Sequence, residues 1–187
     1  MDGFLLALLL TFALAFGGRD QVLVAQWSDA LGQRMSVLVI ALICAGVSAG
    51  VMAWLGSGFA ALLPRRAGQM LVAFALFAAA IELAWPAKPQ APREPTRSLG
   101  AIAIVLLARQ IGDGARFTVF ALAAWAHWPA ATALGGAIGG SGAVALGWTL
   151  GAARLSHWPL RTIRLALAAC LIVAALFTGL NARFAAF

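Results

Sequence analysis

Long apolar runs set the strongest constraint on what this chain can fold into. We identify six of them, and short polar stretches separate one from the next. The chain is 63% hydrophobic and only 10% charged, whereas about a quarter of the residues of a water-soluble domain are charged. A helix of about 20 apolar residues is long enough to cross the hydrocarbon core of a bilayer. The sequence therefore predicts an all-α integral membrane protein with a single domain.

The six predicted spans form two groups of three. Their approximate bounds are 3–30, 35–56, 68–85, 98–126, 130–152 and 160–180. We expect the first run to be retained rather than cleaved as a signal peptide, because Asp2 stands where a signal peptide is positively charged. Four prolines and several charges lie in 86–97, so this linker can neither form a helix nor cross lipid. The predicted organisation is a three-helix unit at 1–85, the linker at 86–97, and a second three-helix unit at 98–187.

The two groups repeat landmark residues at a constant separation of 95 positions. The pairs are Gly17 and Gly112, Gly56 and Gly151, Pro64 and Pro159, and Arg66 and Arg161. Because each unit has an odd number of spans, the second unit must enter the membrane in the opposite orientation. This is the inverted-repeat plan of secondary transporters, in which broken helices face one another near mid-membrane.

Basic residues between the spans predict the orientation. One side carries Arg34, Lys88, Arg93, Arg97, Arg154, Arg161 and Arg164, and the other carries Arg65, Arg66 and Arg183. Positive residues are enriched on the cytoplasmic side of membrane proteins. We therefore expect the linker to be cytoplasmic and both termini to lie outside, in a membrane of the bacterial inner-membrane type.

The first and fourth spans carry charged residues beside glycines. The two stretches are Gly17-Gly18-Arg19-Asp20 and Arg109-Gln110-Ile111-Gly112-Asp113-Gly114-Ala115-Arg116. A charge at the centre of a membrane helix costs about 2.5–3.5 kcal/mol, so such residues mark a pathway or a pair. Glycine allows the backbone to leave the helix, so we predict breaks at Gly17–Gly18 and Gly112–Gly114 that free backbone groups to face a cavity.

Asp20 and Asp113 are the two carboxylates expected deep in the spans, whereas Glu82 is expected to be solvated near the cytoplasmic end of the third span. Two carboxylates meeting between the units, together with freed carbonyls, would form an oxygen-rich site suited to Ca²⁺, Mn²⁺ or Mg²⁺. The same carboxylates could equally carry a proton, because a buried charge is unfavourable.

A structural role is the alternative for these charges. Arg109 and Arg116 lie four residues before and three residues after Asp113, and Arg19 is next to Asp20, so ion pairs could neutralise the acids. The arginines outnumber the acids, which favours an anionic substrate group over a cation. The residues alone leave a transport site and an ion-pair cluster both open.

The architecture and these two stretches resemble the Gdt-type cation/proton exchangers, which transport manganese and calcium. That family carries Glu-x-Gly-Asp-(Lys/Arg)-(Ser/Thr) once in each half. In the second half, Gly112 and Asp113 match the motif and Gln110 replaces its glutamate. In the first half, Gly17 and Arg19 match the motif, and Asp20 falls at the position of its serine or threonine. The resemblance implies a secondary transporter with Asp113 as the principal ion or proton carrier and with Gln110 and Asp20 as supporting ligands.

The leading functional prediction is thus a divalent-cation (manganese or calcium)/proton antiporter with a degenerate ion site. The alternatives are a transport-inactive membrane scaffold or regulatory homologue, and an exporter of small organic solutes such as amino acids. In an exporter, Arg19, Arg109 or Arg116 would bind a carboxylate. No motif indicates an enzyme, a cofactor or a nucleic-acid partner. The expected partners are the bilayer and the transported ion, and the oligomeric state stays open.

Glycines spaced four residues apart predict close helix packing. They are frequent in the fifth span, from Gly135 to Gly151, and occur in the second span at Gly46 and Gly50. Such spacing lets the backbones of membrane helices approach each other closely.

Overall fold

The computed structural model describes residues 2–86 and 98–184, and these residues form helices joined by short connections. The helices are α1 (Asp2–Ala15), α2 (Arg19–Leu31), α3 (Met35–Leu62), α4 (Arg65–Ala84), α5 (Leu99–Ile111), α6 (Gly114–Trp125), α7 (Pro129–Leu155) and α8 (Leu160–Phe184). The predicted all-α class is confirmed for this part of the chain. Residues 87–97 of the predicted linker lie outside the described part of the chain.

Four of the described helices, α3, α4, α7 and α8, are long and apolar enough to cross a membrane. A fifth span results if α1 and α2 are counted together as one segment bent by 62°. The helix α5 is apolar but shorter. The structure therefore has the helices of a multi-pass membrane protein.

Both predicted helix breaks are present. Between α1 and α2 the chain turns at Gly17, whose φ of 73° lies in the left-handed region that favours glycine. Between α5 and α6 it turns at Gly112 and Asp113, where φ is −97° and −87°. The two breaks therefore differ, because only the first requires glycine for its backbone conformation.

The separation of 95 residues extends to the helix starts. The helices α2 and α6 begin at Arg19 and Gly114, and α4 and α8 begin at Arg65 and Leu160. In each pair the two starts are 95 residues apart. The separation therefore holds at the starts of these two helix pairs.

Contacts between the helices fix their relative directions. Parallel pairs are α1 and α7 (Phe4–Gly135, Leu8–Gly139), α2 and α7 (Gln21–Gly147, Asp29–Ala152), α3 and α6 (Ser48–Arg116, Gly56–Phe120), and α3 and α5 (Cys44–Ala103, Ser48–Gln110). Antiparallel pairs are α6 and α7 (Arg116–Gly140, Val119–Gly136) and α4 and α8 (Leu83–Arg164, Ala73–Gly179).

Glycines on α7 allow the close packing that their spacing predicts. A Cβ atom at Gly139 would collide with the backbone of Leu8 on α1. The same prediction is wrong for Gly46 and Gly50 of α3, because a Cβ at either position would meet no atom within 4 Å. Those two glycines do not lie at a helix contact in the described part of the chain.

An additional irregularity occurs near the end of α7. Gly151 has a φ of 71° and kinks the helix. The Asp29 carboxylate of α2 accepts a hydrogen bond of 2.8 Å from Ala152 N, directly after the kink. Asp29 therefore holds the last turn of α7 against α2.

Candidate functional site

The two helix breaks bring three of the predicted ion-binding residues into one buried cluster. Gln110 Nε2 donates a hydrogen bond of 3.4 Å to Asp20 Oδ2. Asp113 is close enough to Asp20 for their charges to interact. All three side chains are buried: Gln110 is 0%, Asp20 2% and Asp113 5% exposed. The acids from the two breaks therefore converge.

A chain of hydrogen bonds continues from this cluster to a buried arginine. Ser48 Oγ donates to Gln110 Oε1 at 2.8 Å and accepts from Arg116 Nε at 2.7 Å. The Arg116 guanidinium is fully buried and lies against Gly140 of α7. Its Nη1 and Nη2 atoms have no hydrogen-bond partner among the described residues. Buried donors without a partner are costly, and two of the three guanidinium nitrogens of Arg116 are such donors.

The Asp113 carboxylate likewise has a buried oxygen atom without a hydrogen-bond partner among the described residues. Asp113 is the residue before the first turn of α6, but its side chain does not cap that helix. Its Oδ2 atom is buried and accepts no hydrogen bond within the described residues. Besides Asp20, the charges that act on Asp113 are those of Glu82, Arg116 and Arg164. Asp113 therefore sits between charges of both signs without being fixed to any of them.

A second layer of charge lies beside the cluster, at the end of α4. Glu82 Oε1 is 3.2 Å from Arg164 Nη2 and 3.5 Å from Arg19 Nε. Glu82 Oε2 accepts a hydrogen bond of 3.2 Å from Gly114 N, at the start of α6. The expectation that Glu82 is solvated is wrong, because its side chain is only 10% exposed. The packing of α8 against α4 covers it with Arg164.

Arg164 connects this layer to the first helix break. Its Nη1 atom donates to Gly17 O at 3.1 Å, and its Nε atom donates to Leu83 O at 3.3 Å. The carbonyl freed at Gly17 is therefore bound by an arginine. Arg164 was read from the sequence as a loop charge that sets orientation, and nothing in its local sequence indicates this buried position.

The remaining predicted charge partners take different places. Arg19 pairs with Glu82 rather than with its neighbour Asp20. Arg109 is exposed and forms no ion pair in the part of the chain that is described. Arg109 belongs to α5 and Arg116 to α6, so the break between them allows one side chain to face outward and the other inward.

Gln21 is a central residue that the sequence analysis did not select. It is fully buried, its Oε1 accepts from Gly17 N at 2.6 Å, and its Nε2 donates to Ala143 O at 2.7 Å. The repeat could have identified it, because Gln21 and Arg116 are 95 residues apart. Gln21 donates to Ala143 of α7, and Arg116 donates to Ser48 of α3.

A cleft of about 370 Å³ opens beside the second layer of charge. It lies between α2, the end of α4, the end of α7 and the start of α8. Its wall combines arginines with large apolar side chains, including Arg19, Leu83, Trp85, Leu160, Arg161 and Arg164. Gly17 of the first break also lines it. The cleft therefore reaches the layer formed by Glu82 and Arg164.

The cluster and the charged layer beside it together contain three carboxylates and three guanidinium groups. Divalent cations such as Mn²⁺ and Ca²⁺ prefer carboxylate and carbonyl oxygens, and Asp20, Asp113 and Gln110 supply such atoms. The described residues contain no group of three or more His, Cys, Asp or Glu placed to hold a metal ion. The positive charge of Arg116 in the same cluster also opposes a bound cation.

Comparison with known protein families, curated proteins and solved structures found no match to this chain. The resemblance to the Gdt-type exchangers therefore rests on the residues quoted from the sequence.

Proposed function

We propose that the protein is a six-span, proton-coupled secondary transporter in which Asp113 carries the proton. The observation that carries this proposal is the buried Asp113 carboxylate, whose Oδ2 atom has no hydrogen-bond partner among the described residues. A buried carboxylate of purely structural function is normally paired or hydrogen-bonded. An unpaired one beside a helix break is suited to gaining and losing a proton.

The arrangement of the helices supports an inverted repeat as the framework of this transporter. The equivalent helices α4 and α8 are antiparallel. Helix α3 is parallel to α6, which is antiparallel to α7, so the equivalent pair α3 and α7 also runs in opposite directions. We take α5 and α6 together as the sixth span, equivalent to the bent pair α1 and α2. Inverted repeats with broken helices at their interface underlie alternating access.

Protonation of Asp113 would change the balance of forces at the cluster. The charged carboxylate is repelled by Asp20 and Glu82 and attracted by Arg116 and Arg164. Neutralising the carboxylate removes all four interactions at once. The proton would thereby alter how α6 is held against α3 and α4.

Two classes of cargo fit different parts of the cluster. Manganese or calcium follows from the family resemblance and would use Asp113, Asp20 and Gln110. A small organic solute with a carboxylate is favoured by the two unpaired donor atoms of Arg116. We place the linker in the cytoplasm, and the cleft beside Trp85 and Pro86 would then open to the same side.

Transport by purified protein in proteoliposomes tests the proposal. A pH-sensitive dye inside the vesicles reports proton movement when Mn²⁺, Ca²⁺ or a small carboxylate is added on one side. Asp113→Asn is expected to abolish this movement and to leave thermal stability unchanged, because the carboxylate has no ion pair or hydrogen bond to lose in the described structure. Asp29→Asn is the matched control, since asparagine can still accept the hydrogen bond from Ala152 N.

Two results would overturn the proposal. Asp113→Asn protein that moves protons as well as the wild type would exclude Asp113 as the carrier. Wild-type protein that moves no proton with any of these solutes would instead favour a membrane scaffold.

A further inference from the structure

The cleft beside the first helix break has the composition of an anion-binding site. Three arginines line it, Arg19, Arg161 and Arg164, and no Asp or Glu is among the described residues of its wall. Guanidinium groups bind carboxylates through pairs of charge-assisted hydrogen bonds. Several arginines around one cleft therefore predict an anionic ligand.

The positive charge of the cleft is only partly neutralised. Arg19 and Arg164 share the single carboxylate of Glu82, at 3.5 and 3.2 Å. Arg161 lies three residues before Arg164 on α8, is exposed, and has no ion pair within the described residues. Glu82 is thus the one carboxylate ion-paired to any of these three guanidinium groups within the described residues, and the excess positive charge is available to a ligand.

Apart from Gln26 and Ser156, the other residues that line the cleft are apolar or glycine. Leu83 and Trp85 line it from the end of α4, and Leu160 and Leu165 line it from the start of α8. Its volume of about 370 Å³ lies in the range of clefts that bind small molecules. An inorganic anion would leave these apolar surfaces unused, whereas a carboxylate with a hydrocarbon body would contact them.

We propose that this cleft binds a small organic anion, a carboxylate with an apolar body, and that this anion is the cargo of the transporter. The assignment as cargo rests on the proposed function, whereas the binding site does not.

The contacts of Arg164 link the cleft to both helix breaks. Arg164 binds Gly17 O at the first break, and its partner Glu82 accepts from Gly114 N at the second. A carboxylate in the cleft competes with Glu82 for Arg19 and Arg164. Occupancy would therefore loosen the contacts that hold both breaks.

Equilibrium binding to the purified full-length protein in detergent tests the site. Hexanoate and benzoate are the probes, sodium sulfate is the inorganic comparison, and isothermal titration calorimetry gives the dissociation constants. Hexanoate and benzoate are expected to bind more tightly than sulfate. Arg161→Gln is expected to weaken their binding about tenfold, which corresponds to the loss of one charge-assisted hydrogen bond. Arg154→Gln, an exposed arginine at the end of α7 that does not line the cleft, is the matched control and should bind like the wild type.

Several outcomes would overturn the site. One is failure of the carboxylates to bind, and another is an equal effect of Arg161→Gln and Arg154→Gln. A third is that hexanoate and benzoate do not bind, while nanodiscs of phosphatidylglycerol, but not of phosphatidylcholine, stabilise the protein in a way that depends on Arg161. That result would assign the cleft to a lipid headgroup.

The same variants separate this inference from the proposed function. Asp113→Asn is expected to retain hexanoate binding while its proton-coupled flux is lost. Carboxylate binding without any flux would overturn the transporter and leave the binding site intact. Proton-coupled flux of a metal ion without carboxylate binding would overturn the site alone.

Discussion

Replacement of Arg164 by glutamine is expected to destabilise the protein more than replacement of any exposed arginine. The Arg164 side chain is 6% exposed and donates to Gly17 O, Leu83 O, Glu82 O and Glu82 Oε1 at 3.1 to 3.3 Å. Removing one partner of a buried ion pair costs about 3–5 kcal/mol. Glu82 would keep Gly114 N and Arg19, so we expect the lower end of that range, about 3 kcal/mol.

Unfolding by sodium dodecyl sulfate in bicelles, followed by circular dichroism, measures this difference. Arg161→Gln removes a charge from the same helix but from an exposed position, and should change the free energy of unfolding by less than about 0.5 kcal/mol. The double variant Glu82→Gln/Arg164→Gln should be less destabilised than the sum of the single variants, because no unpaired charge is left. Equal stability of Arg164→Gln and Arg161→Gln would refute the buried position of Arg164.

Three further predictions concern helix packing, the first break and topology. Gly139→Ala should lower the free energy of unfolding by about 1–3 kcal/mol in the same titration, because the added Cβ collides with the backbone of Leu8. Gly46→Ala, whose Cβ meets nothing within 4 Å, should be neutral. Equal effects of the two variants would contradict the packing of α1 on α7. Gly17→Ala should lower the free energy of unfolding by about 1–2 kcal/mol, because alanine is unfavourable at a φ of 73°. Gly112→Ala should change stability little, because Gly112 has a φ of −97° and a Cβ there would meet no atom within 4 Å. The reverse order would show that the breaks are misassigned. In a chain that lacks Cys44 and Cys170, a cysteine introduced as Gln90→Cys should react with an impermeant maleimide only after permeabilisation, and labelling of intact cells would reverse the proposed orientation.

Local features of the sequence were enough to predict the helices and their breaks. The apolar runs predicted the all-α class, and glycine beside charged residues predicted the interruptions before Arg19 and Gly114. These features depend on residues close together in the chain. The separation of 95 residues was also visible in the sequence, and the starts of α2 and α6 and of α4 and α8 follow it.

The sequence predicted the site only in part, because its composition depends on contacts between distant residues. Asp20, Gln110 and Asp113 were selected as acids or amides beside the glycines, and they lie in one cluster. Glu82 was expected to be solvated, yet it takes part in the second charged layer. Whether a polar residue near a helix end is solvated depends on the helix that covers it, and no local pattern identifies that helix.

The sequence by itself thus determined the all-helical class, the places where the two helices break and the landmarks that repeat, because these follow from residue type and spacing. Only the tertiary structure decided which way each side chain faces. Arg109 and Arg116 are seven residues apart, yet one is exposed and the other fully buried, because a helix break separates them. Arg164 binds the carbonyl of Gly17, which is 147 residues away in the chain. A contact over that distance exists only because the packed helices bring α8 to the first break.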